Sequence, residues 1–262
     1  MSAAATTLRQ WAPNVAIVAG SGFSDMFSTA NIQEELAYAE LGWPQTAVPG
    51  HANALRLMRG PIKADGGKIR LAVACGRPHY YVGWSEQELA RPLHDLAAAG
   101  VRRVLAVNAC GGLRGAPLGG VVVCDTIVDL QHAPREAAPE RRRLMSATQA
   151  QSVAAALAAS AGDGKPLTST VGAYVAVSGP QYETPAECEW LSSHGLVVGM
   201  SGAPEARAAQ RLTLDYILLG AVVNEAAVID SHPDVVVASN RLTTRLAARL
   251  AAAVTARWPE LG

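Results

Sequence analysis

No run of about 20 uninterrupted apolar residues occurs anywhere in this 262-residue chain, which argues against a helix that spans a membrane. An excess of either charge is also missing. Lys plus Arg and Asp plus Glu number 22 each, so no global field draws the chain to nucleic acid or an anionic membrane. Only three of the basic residues are Lys, which together with the abundant Ala and Arg reads as genomic composition rather than chemistry. The four cysteines (Cys75, Cys110, Cys124, Cys188) form no CxxC pair; free thiols in a reducing cytoplasm are expected. The opening "MSAAATTLRQW" lacks a long apolar core, so no signal peptide is expected. Repeats and convincing linkers are absent, and residues 1–262 are read as one domain.

What the chain has is a series of short apolar runs ending in Gly or Asn: residues 14–22, 68–76, 102–112, 120–130, 171–179, 195–201 and 216–226. Near-continuous runs predict strands buried on both faces. Between them lie helical patterns at 85–100, 184–195 and 203–212, and a long terminal one within 233–258. The first opens with Ser85 and Glu88, a capping-box spacing, and contains Pro92, which would kink it or mark its first turn. The second has Thr184 at the N-cap and Pro185 behind it. Residues 132–151 are Pro- and Arg-rich and read as a surface loop leading into a helix from about Leu144. The expected fold is α/β, a three-layer αβα arrangement around a twisted, mostly parallel mixed sheet.

Chemistry-bearing residues interrupt the strand ends. Ser21 sits between Gly20 and Gly22. Arg77, His79 and Tyr81 alternate in "GRPHYYVGW", which in an extended segment puts them on one side; a guanidinium and an imidazole converging there suit an oxyanion such as phosphate. "NACGGL" (108–113) offers backbone N–H groups in a Gly-rich turn. Ser201, in "GMSGAPE", precedes a helix N-terminus. Glu183, in "GPQYETPAE", falls in the connection between a strand and a helix, where α/β proteins face ligands. Taken singly, each has a second reading: a turn that needs small residues, a surface ion pair, a satisfied histidine, a helix cap, a carboxylate serving a helix dipole. Convergence separates the two, because the carboxyl ends of parallel strands share one rim.

Taken together, "GSG" (20–22), "VPGH" (48–51), "GRPHYYVG" (76–83), "NACGGL", "GPQYETPAE", "GMSGAPE" and "VVNEA" (222–226) closely resemble, in order and spacing, the trimeric purine nucleoside phosphorylases. Their family also holds the methylthioadenosine phosphorylases. The resemblance runs from about Val15 to Asn224 and more faintly through the last helix. It implies a phosphorylase/hydrolase-like fold, a homotrimer, no metal or organic cofactor, and inorganic phosphate as co-substrate. The reaction implied is phosphorolysis of a purine ribonucleoside. By the same resemblance Ser21, His51, Arg77, His79, the backbone N–H of Ala109 and Ser201 hold phosphate. Tyr81 and Met200 meet the ribose, and Tyr182, Glu183 and Asn224 meet the base. A carboxylate at Glu183 accepts from the N1–H of hypoxanthine or guanine, while adenine offers only a lone pair there. Inosine and guanosine are therefore the expected substrates. The family's methylthioadenosine branch carries Asp where this chain has Asn224.

Several positions depart from the family pattern. Val82 stands where a Glu often steadies the Arg, so another carboxylate must replace it or phosphate binding weakens. Cys110 replaces an Ala and Gly202 a Thr. Residues 132–151 lack the aromatic that many members lay over a neighbour's ribose, and no counterpart of the C-terminal His is found near Ser239, Asn240 and Arg241. Those two departures leave the 5′ end of the sugar open to modified nucleosides. His94, His132, His194 and His232 have no motif around them. A dinucleotide-binding oxidoreductase is disfavoured: "GSGFSD" lacks the third Gly, and no acidic ribose ligand follows about 20 residues on. A non-catalytic nucleoside binder is the remaining rival.

Overall fold

The structure, a computed structural model, describes residues 2–26, 31–46, 52–64, 67–131, 140–160, 164–228 and 232–259. In chain order the elements are α1 (Ala3–Trp11), β1 (Val15–Ala19), β2 (Ile32–Ala37), α2 (Tyr38–Leu41), β3 (Ala54–Ala64), β4 (Gly67–Cys75), α3 (Glu86–Ala98), β5 (Arg103–Gly112), β6 (Val121–Asp129), β7 (Glu140–Arg143), α4 (Ala147–Ala159), β8 (Ser169–Ala176), α5 (Pro185–Leu191), β9 (Val197–Gly199), α6 (Ala203–Arg211), β10 (Asp215–Glu225) and α7 (His232–Arg257). Each of the seven apolar runs is a strand. The reason shows in β1, where all five side chains are buried. Ala16 and Val18 face one core and Val15, Ile17 and Ala19 the other, as the two-residue period of a strand requires.

Those two cores make the expected three layers. One face of the sheet packs Leu8 of α1, Leu93 and Leu96 of α3 and Ala206 and Ala209 of α6. The opposite face packs Val153 and Leu157 of α4 against Leu242, Leu246 and Leu250 of α7. The sheet is mixed, and evenly so. Five of its pairings among the described residues are parallel and five are antiparallel. β1, β4, β5 and β10 run parallel to one another, while β2 and β3 form an antiparallel wing beside β4. Pairings β5–β10, β10–β6, β6–β8, β8–β9 and β9–β5 close a ring of five strands. β5 makes this possible: it pairs with β1 over residues 104–107 and meets β9 only at Gly111 and Gly112.

Two expectations need correction. Pro92 lies inside α3, whose first turn is fixed upstream by a Ser85–Glu88 capping box, so it does not mark the start. The described part of 132–151 is not a plain loop. Glu140–Arg143 pair with β6 as an edge strand, and α4 begins only after a Ser146–Gln149 capping box. A short charged edge strand discourages further pairing and carries no apolar pattern to read. No helix among the described residues is long and apolar enough to cross a membrane.

Candidate active site

A cavity with about 690 Å³ of empty space, its open mouth included, is lined by Ser21, Arg77, His79, Ala109 and Ser201. The same cavity is lined by Tyr81, Tyr182, Glu183, Met200 and Asn224. Ten of the eleven residues singled out from the sequence therefore share one space. The eleventh, His51, lies outside the described residues.

The convergence is not a simple shared rim. β8 and β9 run against β5 locally, so their exits approach from the other direction. Gly111 faces Val198 and Gly112 faces Val197 in an antiparallel ladder. The chain leaving β9 thus runs back along β5 and brings Ser201 to Asn108, whose amide Nδ2 donates to Ser201 Oγ at 3.2 Å. The stretch 108–112 is the end of β5 rather than the Gly-rich turn expected. Its small residues serve close approach: a Cβ on Gly111 would lie 3.0 Å from Ala226 Cβ, and one on Gly112 2.8 Å from Val222 Cγ1.

Arg77 is 2% exposed and held on several sides. Its Nε donates to Glu205 Oε1 at 2.6 Å, its Nη1 to the Asn108 side-chain oxygen, and its Nη2 to the Val18 carbonyl at 3.4 Å. Glu205 is itself buried and also accepts from the Tyr216 hydroxyl at 3.0 Å. This answers the Val82 departure. The carboxylate that steadies the arginine comes from α6, 128 residues away in sequence, while Val82 is largely exposed. Asn108 and Glu205 were passed over in the sequence, although both stand inside the quoted motifs. His79 is in an extended conformation, but Tyr80–Val82 form a 3-10 turn, so strict alternation ends there. The turn instead stacks the Tyr81 ring on His79, with centroids 4.8 Å apart and planes 15° from parallel.

The base side is built by a bulge and a cap. The β10–β5 register slips between Val222 and Asn224, and such a bulge re-aims a strand-end side chain. Asn224 is 9% exposed, and its amide donates to the Glu225 carbonyl at 3.3 Å. Glu183 directly precedes the α5 N-cap, where Thr184 and Glu187 form a reciprocal capping box. Burial pushes the Glu183 carboxyl above its ordinary range; its backbone N–H opposes the rise and Glu187 adds to it. Met200 is fixed by Gln131, whose amide donates to the Met200 carbonyl at 3.0 Å and the Val177 carbonyl at 2.9 Å. Gly179, at φ +69°, leaves room for it, since a Cβ there would lie 2.4 Å from Met200 Sδ. Cys110, Val198, Val223 and Val235 also line the cavity, so α7 contributes to its wall through Val235, although Ser239 does not line it. Ser239 is fully buried and bonded to the Val235 carbonyl. Gly202, at φ +86°, occupies a backbone conformation that suits glycine better than threonine. Cys110 packs in the buried core, and burial holds its thiol well above the usual range. All four cysteines are free.

A family model described as "Phosphorylase superfamily" matches residues 14–257. The chain belongs to that superfamily, among the purine nucleoside phosphorylases. It is 31% identical to a purine nucleoside phosphorylase of Mycobacterium leprae over 91% of this chain and 87% of that one. A probable S-methyl-5′-thioinosine phosphorylase of Methanosarcina acetivorans is 32% identical over 48% of this chain and 50% of its own length. The crystal structure of a Schistosoma purine nucleoside phosphorylase in complex with hypoxanthine superposes with a TM-score of 0.75 at 24% identity, covering 96% and 94% of the two chains.

Proposed function

We propose that this protein is a purine nucleoside phosphorylase that uses inorganic phosphate to cleave inosine and guanosine, and their deoxy forms, to free base and (deoxy)ribose 1-phosphate. One observation carries the reading: Arg77, His79, Ser21 and Ser201 line the same cavity as Tyr182, Glu183 and Asn224. C–N cleavage builds positive charge on the sugar and negative charge on the leaving purine. Phosphate beside C1′ supplies both nucleophile and counter-charge. The Asn224 amide, donating to N7 or O6, stabilises the departing base; one such donor is worth roughly 3–4 kcal/mol. Glu183 accepts from the N1–H, and from the 2-amino group of guanine. Leaving a buried polar group unmatched discriminates by on the order of 10⁴, hence the preference over adenosine. The reaction as read needs no metal or organic cofactor. The same reading carries action in the cytoplasm and a homotrimer, and light scattering on the purified protein tests the latter.

The deciding experiment is inosine cleavage with and without phosphate, followed by chromatography for ribose 1-phosphate. Base release without phosphate would make the protein a hydrolase, and no release would make it a binder. A second reading, a 5′-modified nucleoside phosphorylase, is supported by the lack of any aromatic in residues 132–151. The similarity to a probable methylthioinosine phosphorylase points the same way. Glu183 and Asn224 suit a 6-oxopurine in either case, so kcat/KM for 5′-methylthioinosine against inosine separates the two.

A further inference from the structure

We infer that Glu205 is a positioning residue for phosphate, acting through Arg77 and never touching the anion itself. The inference rests on the phosphorolytic reading and goes beyond it by assigning the group that holds the arginine. Glu205 is absent from the wall of the main cavity. It lines a smaller neighbouring space, which Arg77 also lines. From there Oε1 takes the Arg77 Nε–H at 2.6 Å while Oε2 is held by the Tyr216 hydroxyl at 3.0 Å. Both partners are almost fully buried, at 3% and 9% side-chain exposure. A buried carboxylate with one oxygen locked by a phenol has little freedom, so it fixes the plane of the guanidinium as well as its place. Asn108 takes the Nη1 edge and passes the order on to Ser201, another wall residue.

The charge balance gives the arrangement a second consequence. Burial opposes the charge on Arg77, but Glu205, together with Tyr216 and Tyr174, outweighs that penalty and raises its pKa above the usual value, so the arginine is cationic before an anion binds. The geometry thus keeps an anion-binding fork assembled before phosphate arrives.

The test is steady-state kinetics on wild type, Glu205→Ala, Glu205→Gln and Tyr216→Phe, with phosphate and inosine varied separately. Hydrogen bonds to charged groups are strong enough that Glu205→Ala should raise the phosphate KM about tenfold or more, with the inosine KM within about twofold. Glu205→Gln keeps an oxygen for the Arg77 Nε–H and should recover part of the loss. Tyr216→Phe frees Oε2 only and should raise the phosphate KM several-fold. Should the alanine variant fail to fold, the glutamine and phenylalanine variants decide. A phosphate KM unchanged in the folded variants, or an inosine KM rising as much as the phosphate KM, would overturn the assignment. Wild-type activity that does not depend on phosphate would instead defeat the reading on which it rests.

Discussion

Glu183 and Asn224 carry the choice of base, and both can be tested one side chain at a time. Burial raises the Glu183 carboxyl above its ordinary range, which has a definite sign. Between the unfolded and folded values the native state holds the extra proton, so native stability falls as pH rises through the raised value. Glu183→Gln should therefore leave the melting temperature unchanged in acid and equal or higher at neutral pH. Its kcat/KM for inosine should drop about tenfold or more, as expected on losing a charged hydrogen-bond acceptor. The acid limb of the inosine kcat/KM profile should sit above the range of an ordinary carboxylate in wild type and vanish in the variant. An identical limb in both proteins would remove Glu183 from base recognition. Asn224→Asp should raise activity on adenosine relative to inosine, because a carboxylate accepts from a 6-amino group where the amide donated. Kinetics on both substrates check it, and an unchanged ratio would count against the role. These residues were legible in the sequence because short motifs carry them. The Arg77–Glu205 contact was not, since its partners are 128 positions apart and no local pattern records a pairing that only folding creates.

At the scale of elements, what the sequence disclosed follows burial. The seven strands that appeared as apolar runs all belong to one sheet, β6 among them with seven of its nine side chains buried. β2, with three consecutive exposed residues, the charged β7, and β3, whose buried Leu55, Leu57 and Met58 are interrupted by Arg56 and Arg59, escaped notice. Their pairing is set by neighbours rather than by their own pattern. The starts of α3 and α5 were legible for a different reason: their caps are local chemistry. The α5 cap has a functional side. Thr184 Oγ1 accepts from the Glu187 N–H at 3.3 Å, and Glu187 accepts in return from the Thr184 N–H at 2.8 Å, which ties down the residue next to Glu183. Thr184→Ala should cost about 1 kcal/mol of stability, the usual worth of an N-cap. It should also raise the KM for inosine more than that for phosphate. Thermal melts and separate KM determinations distinguish this from a general loss of folding, which would leave the two constants of the surviving enzyme unchanged.

The whole molecule meets at the cavity. Ser21 follows β1 and Arg77 follows β4, both in the open part of the sheet, while Ser201, Glu183 and Asn224 come from the closed ring. α7 adds a third tie: Thr243 Oγ1 donates to the Gly22 carbonyl at 2.7 Å, clamping the loop that carries Ser21. A ligand bridging these parts cross-links the molecule without a covalent bond, and any ligand that binds only the native state stabilises it by mass action. Phosphate at 100 times its dissociation constant should add about 2.7 kcal/mol. For a chain of this size that is a rise in melting temperature of roughly 5–10 °C. Hypoxanthine added with phosphate should raise it further, because the base occupies the remaining wall. Arg77→Ala should abolish most of the phosphate shift and keep a shift from the base, since Tyr182, Glu183 and Asn224 are untouched. Differential scanning calorimetry at constant ionic strength reads all four combinations. A phosphate shift that persisted undiminished in Arg77→Ala would mean that the anion stabilises the protein from some other surface, and the cavity would lose its claim to both substrates.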